Sequence, residues 1–327
     1  MRRRRQRGFT LIELMIALVL FALVAAGMMS VAVSMASGAR EQELNIATES
    51  SARAAMDFMT TAIRGAIPGV PFANIRDANT DPCPAAGIVI TNNAAPVSPL
   101  TTSSDQLTMV FAIGSVVTSL RSVYDAGTTS VTVTDASQFS AGDGVLITNL
   151  DQGHLVRITG VAGNTLTLAN QVCSTLALPS GGYPPGALVV RALRATLSIG
   201  AIDGIPTLMM DPDAEGPLAA EPLAEGIEDM QVAVGVDNNG DGALTELGSI
   251  ANDDEWLFNV AGESLPVGST INAIRITLVA RATKAVVGNP AYLLPAVEDR
   301  VAGTAPDAFR RRVLTSTVEI RNHGGSP

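Results

Sequence analysis

Residues 8–24, "GFTLIELMIALVLFALV", decide the fold, because they open an apolar run of membrane length that contains one acid. From residue 9 to residue 39 the only charged side chain is that of Glu13. A carboxylate at the centre of a bilayer costs about 2.5–3.5 kcal/mol, and an intramembrane acid is by default a functional residue. The sequence therefore predicts a membrane helix in which Glu13 has a role. A glutamate that only reaches back to the membrane interface is the alternative.

The helical pattern continues past this apolar run, since the first proline of the chain is Pro68. Further along, apolar residues recur at the three- and four-residue spacing of one buried helical face. They are Ala52, Ala55, Met56, Met59, Ile63 and Ala66. We therefore predict one helix over residues 9–66, about 85 Å long. Its half 9–38 suits a membrane, and its amphipathic half 39–66 suits packing on a globular body.

A basic leader, residues 1–8, precedes the helix and carries five arginines. A secretory signal peptide is the alternative interpretation, but the apolar run is about twice as long as a signal requires and no A-x-A site closes it. Basic flanks stay in the cytoplasm, so the body is expected on the opposite side of the membrane. Without the leader the net charge falls from −10 to −15, because 16 basic residues then face 31 acidic ones. Such a body repels phosphate backbones, which argues against nucleic-acid binding.

The rest of the chain predicts an α+β protein in which the long helix packs on an antiparallel sheet. Residues 67–116 are turn-rich with a strand, and residues 117–175 read as an inserted β-module of four short strands. Residues 176–327 hold the predicted main sheet, built on "IEDMQVAVGV", "INAIRITLVARAT" and "FRRRVLTSTVEIRN". The three adjacent arginines of the last segment, Arg310 to Arg312, either bind an acidic partner or protect an edge strand.

No catalytic motif accompanies these strands. The chain has no GxSxG, HExxH or P-loop pattern and no GxGxxG in a βαβ context. His154 and His323, the two histidines, are expected to be structural or solvated. The sequence therefore predicts a protein that is not an enzyme.

The amino-terminal pattern resembles the signal of type IV prepilins and type II secretion pseudopilins. That pattern is a short basic leader, then Gly, Phe and a glutamate at the fifth position after cleavage, and Gly8, Phe9 and Glu13 match it. The segments "GIEDMQVAVGVDNNGDG", "INAIRITLVARA" and "RRRVLTSTVEIRN" further resemble PilW-type minor pilins. The pseudopilin J component of type II secretion is the related alternative.

This resemblance implies a structural role in assembling a type IV pilus. A prepilin peptidase would cut between Gly8 and Phe9 and methylate the new amino group of Phe9. The resulting ammonium group would pair with Glu13 of a neighbouring subunit, because each charge is costly in lipid and the pair offsets much of that cost. The expected partners are the peptidase, other minor pilins, the major pilin and the inner membrane. The body would be periplasmic, and after assembly the protein would reside in the pilus.

The segment "DNNGDGALTE" at 237–246 has the spacing of half a calcium-binding loop. The predicted ligands are Asp237, Asn239, Asp241, the carbonyl of Ala243, and Glu246 in place of a twelfth-position glutamate, where this chain has a glycine. A plain hairpin turn is the alternative, since Asn-Asn-Gly-Asp-Gly favours one. Calcium is thus a possible ligand and no cofactor is required. A calcium-dependent adhesin on a pilin anchor is the corresponding alternative function.

Cys83 and Cys173 are the only cysteines. In an exported body the simplest expectation is one disulfide between them, which would stabilise the fold by about 4 kcal/mol on the loop-entropy estimate. Two unpaired buried thiols are the alternative.

Overall fold

The structure, a computed structural model, describes residues 11–65, 74–78, 87–94, 103–169, 178–214, 218–246, 255–266, 269, 271–286 and 291–320. Helix α1 runs from Leu11 to Arg64 without interruption. At 1.5 Å per residue its 54 residues span about 80 Å. The long helix and the antiparallel sheets on which it packs confirm the predicted α+β class.

The strands follow the helix in chain order. They are β1 (Ile75–Asp77), β2 (Ile88–Ala94), β3 (Ser104–Ser119), β4 (Ser130–Thr132), β5 (Gly144–Thr148), β6 (Gly153–Ala162), β7 (Thr165–Leu168), β8 (Leu188–Ile202), β9 (Ile205–Asp211), β10 (Glu221–Glu225), β11 (Ile227–Gly235), β12 (Trp256–Leu257), β13 (Ala273–Arg281) and β14 (Arg311–Glu319).

The first ten strands form one sheet around the 15-residue strand β8. Strand β3 pairs with β8 on one side, and β5 and β9 share its other side. The sheet continues through β6, β7 and β4, and β1 adds to β6 as a parallel strand. Strand β5 approaches β8 closely at Gly144, where a Cβ atom would lie 2.6 Å from the carbonyl oxygen of Ala192. A residue with a side chain would therefore displace one of the two strands.

The second sheet has the order β12-β11-β13-β14 and is antiparallel throughout. Its three long strands coincide with the three segments that the sequence predicts for the main sheet. The alternation of β11 is irregular at its start because a bulge lies between Ile227 and Asp229. Strands β8, β9 and β10 belong to the ten-stranded sheet, so the predicted main-sheet segment 176–327 contributes to both sheets. The division of the chain into domains stays a prediction.

One apolar core joins the helix to both sheets. The helix contributes Ala52, Ala55, Met56, Met59 and Ile63, five of the six residues of the predicted stripe. Strands β11 and β13 contribute side chains from alternate positions, and β3 and β8 add others from the larger sheet. The amphipathic half of the helix is therefore part of the core of the body.

A second core lies at the far end of the ten-stranded sheet, between β4, β5, β6 and β7 and the loops around them. It includes Tyr124 and Tyr183, whose rings stack with centroids 6.1 Å apart. The helix contributes no residue to this second core. It therefore depends on the helix only through the strands that the two cores share.

Candidate functional site

The first part of α1 projects from the body. Sixteen large apolar side chains between Leu11 and Met35 are 54–79% exposed. The first buried residue of the helix is Thr48. An apolar surface of this extent is not stable in water and marks contact with lipid or with other apolar helices. Residues 11–35 would span about 37 Å, which exceeds the thickness of a bilayer core.

Glu13 lies in the first turn of α1. Its carboxylate is therefore near the amino-terminal end of the helix, where the helix dipole favours a negative charge. Gly8 and Phe9, which form the predicted cleavage site, lie outside the described residues. The pairing of Glu13 with a new amino group at Phe9 stays a prediction.

The second part of α1 is fastened to the body by polar contacts as well as by the apolar stripe. The hydroxyl of Ser51 donates to the backbone oxygen of Glu225 over 2.5 Å. The carboxylate of Glu41 lies 3.8 Å from the guanidinium of Arg310 at the start of β14. The body thus sits on the helix directly after the exposed apolar part ends.

The predicted calcium loop is a tight turn after β11. The Asp237 carboxylate accepts from the backbone N–H groups of Gly240 and Gly242, and Asp241 Oδ1 accepts from the N–H of Ala243. Such bonds form with or without a cation, so they fit both the calcium site and the plain hairpin turn. Asn239 Oδ1 accepts in the same way from the N–H of Asp241.

The fifth predicted calcium ligand is engaged elsewhere. Both oxygens of Glu246 accept from the guanidinium of Arg275, over 2.8 and 3.1 Å. The amide of Asn259 donates to the same carboxylate. Among the described residues, no group of three or more His, Cys, Asp or Glu side chains is arranged to hold a metal ion. The calcium site stays a prediction.

The three adjacent arginines at β14 have different surroundings. The side chain of Arg311 is 7% exposed and donates to the carboxylates of Glu228 and Asp307, with distances down to 2.6 Å. Although burial opposes its charged form, the bonds to Asp307 and Glu228 raise the pKa of Arg311 above its ordinary value. Arg312 is exposed, and Arg310 is partly exposed with its guanidinium over the ring of Tyr292. Only Arg310 and Arg312 therefore remain candidates for an acidic partner.

A cluster of buried acids between the two sheets was missed by sequence reasoning. Asp105 of β3 is fully buried, and its carboxylate accepts from the N–H of Asn93 at β2 and of Val232 at β11. Burial raises the pKa of Asp105 to about 7, against the opposing effect of these two bonds. Asp229 of β11 is also fully buried, and its Oδ2 lies 2.5 Å from Arg300 Nε. The cluster links three segments that are far apart in the chain.

His154 is buried and structural, in line with expectation. Its Nδ1 atom lies 2.7 Å from the hydroxyl of Tyr183. Burial, with a smaller effect from Arg76, lowers the pKa of His154 to about 4, so the ring is neutral near pH 7. His323 lies outside the described residues, as do both cysteines, Cys83 and Cys173.

Two separate parts of the chain match known family models. Residues 3–29 match the prokaryotic N-terminal methylation motif. This match covers the leader, Glu13 and most of the exposed apolar helix, which fits a membrane-anchored pilin. Residues 196–322 match the family model described as type IV pilus-assembly protein W. The resemblance to PilW-type minor pilins is thereby confirmed for these two parts of the chain.

The second match begins within β8 and includes the four-stranded sheet on which the helix packs. Strands β4 to β7 and their separate core lie outside both matched ranges. No curated protein sequence matches the chain. The likeness to pilins therefore rests on the leader helix and on the part of the body next to it.

Proposed function

We propose that this protein is a minor pilin that takes part in initiating or assembling a type IV pilus. The observation that carries the proposal is a 54-residue helix whose first part is apolar and exposed, with Glu13 in its first turn. Both family matches support this role, because one is a methylation motif and the other describes pilus assembly. The protein acts by packing its helix against others and not by catalysis.

Processing would prepare the helix for that packing. A prepilin peptidase cuts between Gly8 and Phe9 and methylates the new amino terminus of Phe9. The ammonium group then enters an apolar helix bundle, where Glu13 of a neighbouring subunit is its counter-charge. An unpaired charge in that environment is strongly unfavourable. Only an axial offset that pairs the two groups avoids this cost, so the pair fixes how one subunit stacks on the next.

The same helix determines the location. Before assembly its apolar part spans the inner membrane, with the arginines of the leader in the cytoplasm and the body in the periplasm. During assembly the helix moves from lipid into the fibre core, where it meets other minor pilins and the major pilin. Its amphipathic half carries the body along, since that half is part of the core of the body.

The decisive test is the intact mass of the protein extracted from membranes. Processing predicts a mass lower by the eight leader residues and higher by one methyl group. A chain that keeps its arginine leader would overturn the proposal.

The assembly role is tested by Glu13→Ala, with Glu43→Ala on the same helix as the matched control. Glu43 lies beyond the apolar run and is exposed. We expect Glu13→Ala to be lost from the sheared pilus fraction while remaining in the membrane, and Glu43→Ala to be recovered as the parent is. Equal recovery of both variants would contradict the role of Glu13.

Two alternatives have distinct consequences. A J-type pseudopilin of type II secretion predicts that deletion abolishes secretion and leaves pili intact. A calcium-dependent adhesin predicts glycan binding that requires calcium. The match to a pilus-assembly family favours the pilus over both.

A further inference from the structure

In the membrane orientation proposed above, the end of the body that adjoins the exposed part of the helix comes close to the membrane surface. Glu41, which contacts Arg310, comes six residues after Met35, the last of the exposed apolar side chains of that part. Six residues correspond to about 9 Å along the helix axis. Lipid headgroups extend about 6 Å beyond each side of the bilayer core. With Met35 at the boundary of the bilayer core, Arg310 lies about 3 Å beyond the headgroup layer, where a long basic side chain can reach the headgroups.

Backbone pairing brings a second cation to the same end. Pairing continues after the end of β13 and before the start of β14. The backbone N–H of Ala282 donates to the backbone oxygen of Arg310, and the N–H of Val286 donates to the oxygen of Ala308. Lys284 lies between these two bonds and is exposed. Arg40 on the helix is also exposed close to this end. We call Arg40, Lys284 and Arg310 the basic collar.

The collar is locally positive on a strongly acidic body. Its three cations lie near two helix carboxylates, Glu41 and Glu43, whereas the chain without its leader has a net charge of −15. Glu49, further along the helix, is bonded to Arg53 over 2.6 Å and also attracts Arg312. Within the described part of the chain, no carboxylate lies within 4.0 Å of the charged atoms of Arg40 or Lys284. These two cations are available to an external anion.

Interfacial side chains accompany the collar. The ring of Tyr292 lies against Arg310, with 5.9 Å from the guanidinium to the ring centroid. The next residue, Leu293, is a large apolar side chain that is 51% exposed. Aromatic, aliphatic and basic side chains together are typical of a surface that rests on headgroups. The collar lies next to a helix whose apolar part is long enough to cross a membrane.

We propose that the basic collar docks the body on anionic phospholipid headgroups of the membrane that its own helix spans. This inference rests on the proposed function for the membrane orientation of the helix. Each basic residue near an anionic membrane surface strengthens association about fivefold. The acidic remainder of the body is repelled by the same lipids, so the body is oriented with the collar toward the membrane until assembly removes the helix from lipid.

The test uses the full chain in nanodiscs, of phosphatidylcholine or of its mixture with phosphatidylglycerol. Leu293→Trp provides a fluorescence donor beside the collar, and dansyl-labelled headgroups are the acceptors. Subtracting the signal of the parent removes the contribution of Trp256, the one native tryptophan. We expect energy transfer to rise with phosphatidylglycerol and to fall as salt screens the surface.

The double substitution Arg40→Gln/Lys284→Gln should weaken docking about fivefold per cation. The matched control is Arg64→Gln/Arg121→Gln, which removes two exposed cations elsewhere, with Arg64 about 35 Å further along the helix than Glu41. Unchanged thermal unfolding would show that each variant is folded. Equal transfer in the two lipids, or an equal loss in the control, would overturn the proposal.

This experiment needs neither a peptidase nor a pilus. If the collar does not dock on anionic lipids, the proposals of cleavage and assembly are therefore unaffected. If the protein is not cleaved or not assembled, that result would appear in the mass and filament assays.

Discussion

Replacement of the buried Asp105 by Asn should flatten the pH dependence of the stability of the body. Asp105 is fully buried between the two sheets, and each of its carboxylate oxygens accepts a backbone bond, over 2.8 Å from Asn93 and 2.7 Å from Val232. Burial is the largest influence on its pKa, and the nearby carboxylates of Asp299 and Asp229 act in the same direction. Together they raise the pKa from 3.8 to about 7.

The sign of the effect follows from linkage. A folded state that binds the proton more tightly than the unfolded chain loses stability as pH rises from the unfolded pKa to the folded pKa. For Asp105 this window runs from about pH 4 to about pH 7. Three pKa units correspond to a free energy of unfolding of about 4 kcal/mol. Most of this difference should therefore lie between pH 4 and pH 7, with a plateau above.

Asn at this position cannot ionise. Its amide nitrogen takes the place of one carboxylate oxygen and faces a backbone N–H, so one of the two backbone hydrogen bonds is lost. We expect Asp105→Asn to lose about 1–3 kcal/mol at pH 4.5, where the parent carries the proton. At pH 8 the variant should equal or exceed the parent in stability, because only the parent then holds a buried charge. The measurement is thermal or urea unfolding of the full chain in micelles at several pH values.

Asp135→Asn is the matched control for this experiment. A bond from the backbone N–H of Ser137 lowers the pKa of Asp135, which is exposed, so this group does not titrate between pH 5 and pH 8. Its replacement should leave the pH profile unchanged. Parallel profiles for the parent and Asp105→Asn would refute the reasoning.

Three further predictions concern the core, the buried arginine and the calcium loop. Met59→Ala should lower the free energy of unfolding by about 2–5 kcal/mol, because Met59 is fully buried where the helix meets both sheets. Ile46→Ala, on the exposed face of the same helix, should change the free energy of unfolding by less than about 0.5 kcal/mol. Equal losses in the two variants would contradict the packing. Arg311→Ala should cost about 3 kcal/mol in urea unfolding, since Asp307 and Glu228 lose their main cation and only Arg281, 3.4 Å from Glu228, remains. The neighbouring Arg312→Ala should cost little, and the reverse order would show that Arg311 is exposed. Calorimetric titration with calcium should give binding that Asp241→Ala removes, and the absence of heat with the parent would eliminate the calcium site.

Elements whose signal is local could be predicted from the sequence. The helix follows from an apolar run, a three- and four-residue spacing and the late first proline. The strands β11, β13 and β14 follow from alternation, and the bulge after Ile227 accounts for the one place where the pattern is irregular. Glu13 is recognisable because an acid in an apolar run conflicts with its surroundings.

Elements that depend on distant contacts could not be predicted. Asp105 and Val232 are bonded across 127 positions of the chain, and no local pattern around either indicates a buried pair. The same applies to Arg311, which lies beside two other arginines and differs from them only in meeting Glu228, 83 positions away. Strand β6 illustrates the limit for burial, because residues 153–156 are buried at every position although the sequence suggests one exposed face.

The hairpin of β5 and β6 explains how the body combines a part that matches the pilus-assembly family with a part that does not. Leu146 and Leu155 point into the core shared with the helix, whereas Val145 and Val156 point into the second core. The hairpin therefore lies between the two cores. Strands β4 and β7 contribute only to the second core. Changes there reach the helix only through the strands that both cores share, this hairpin and β8. The far end of the sheet can therefore vary with little effect on the surface that holds the helix.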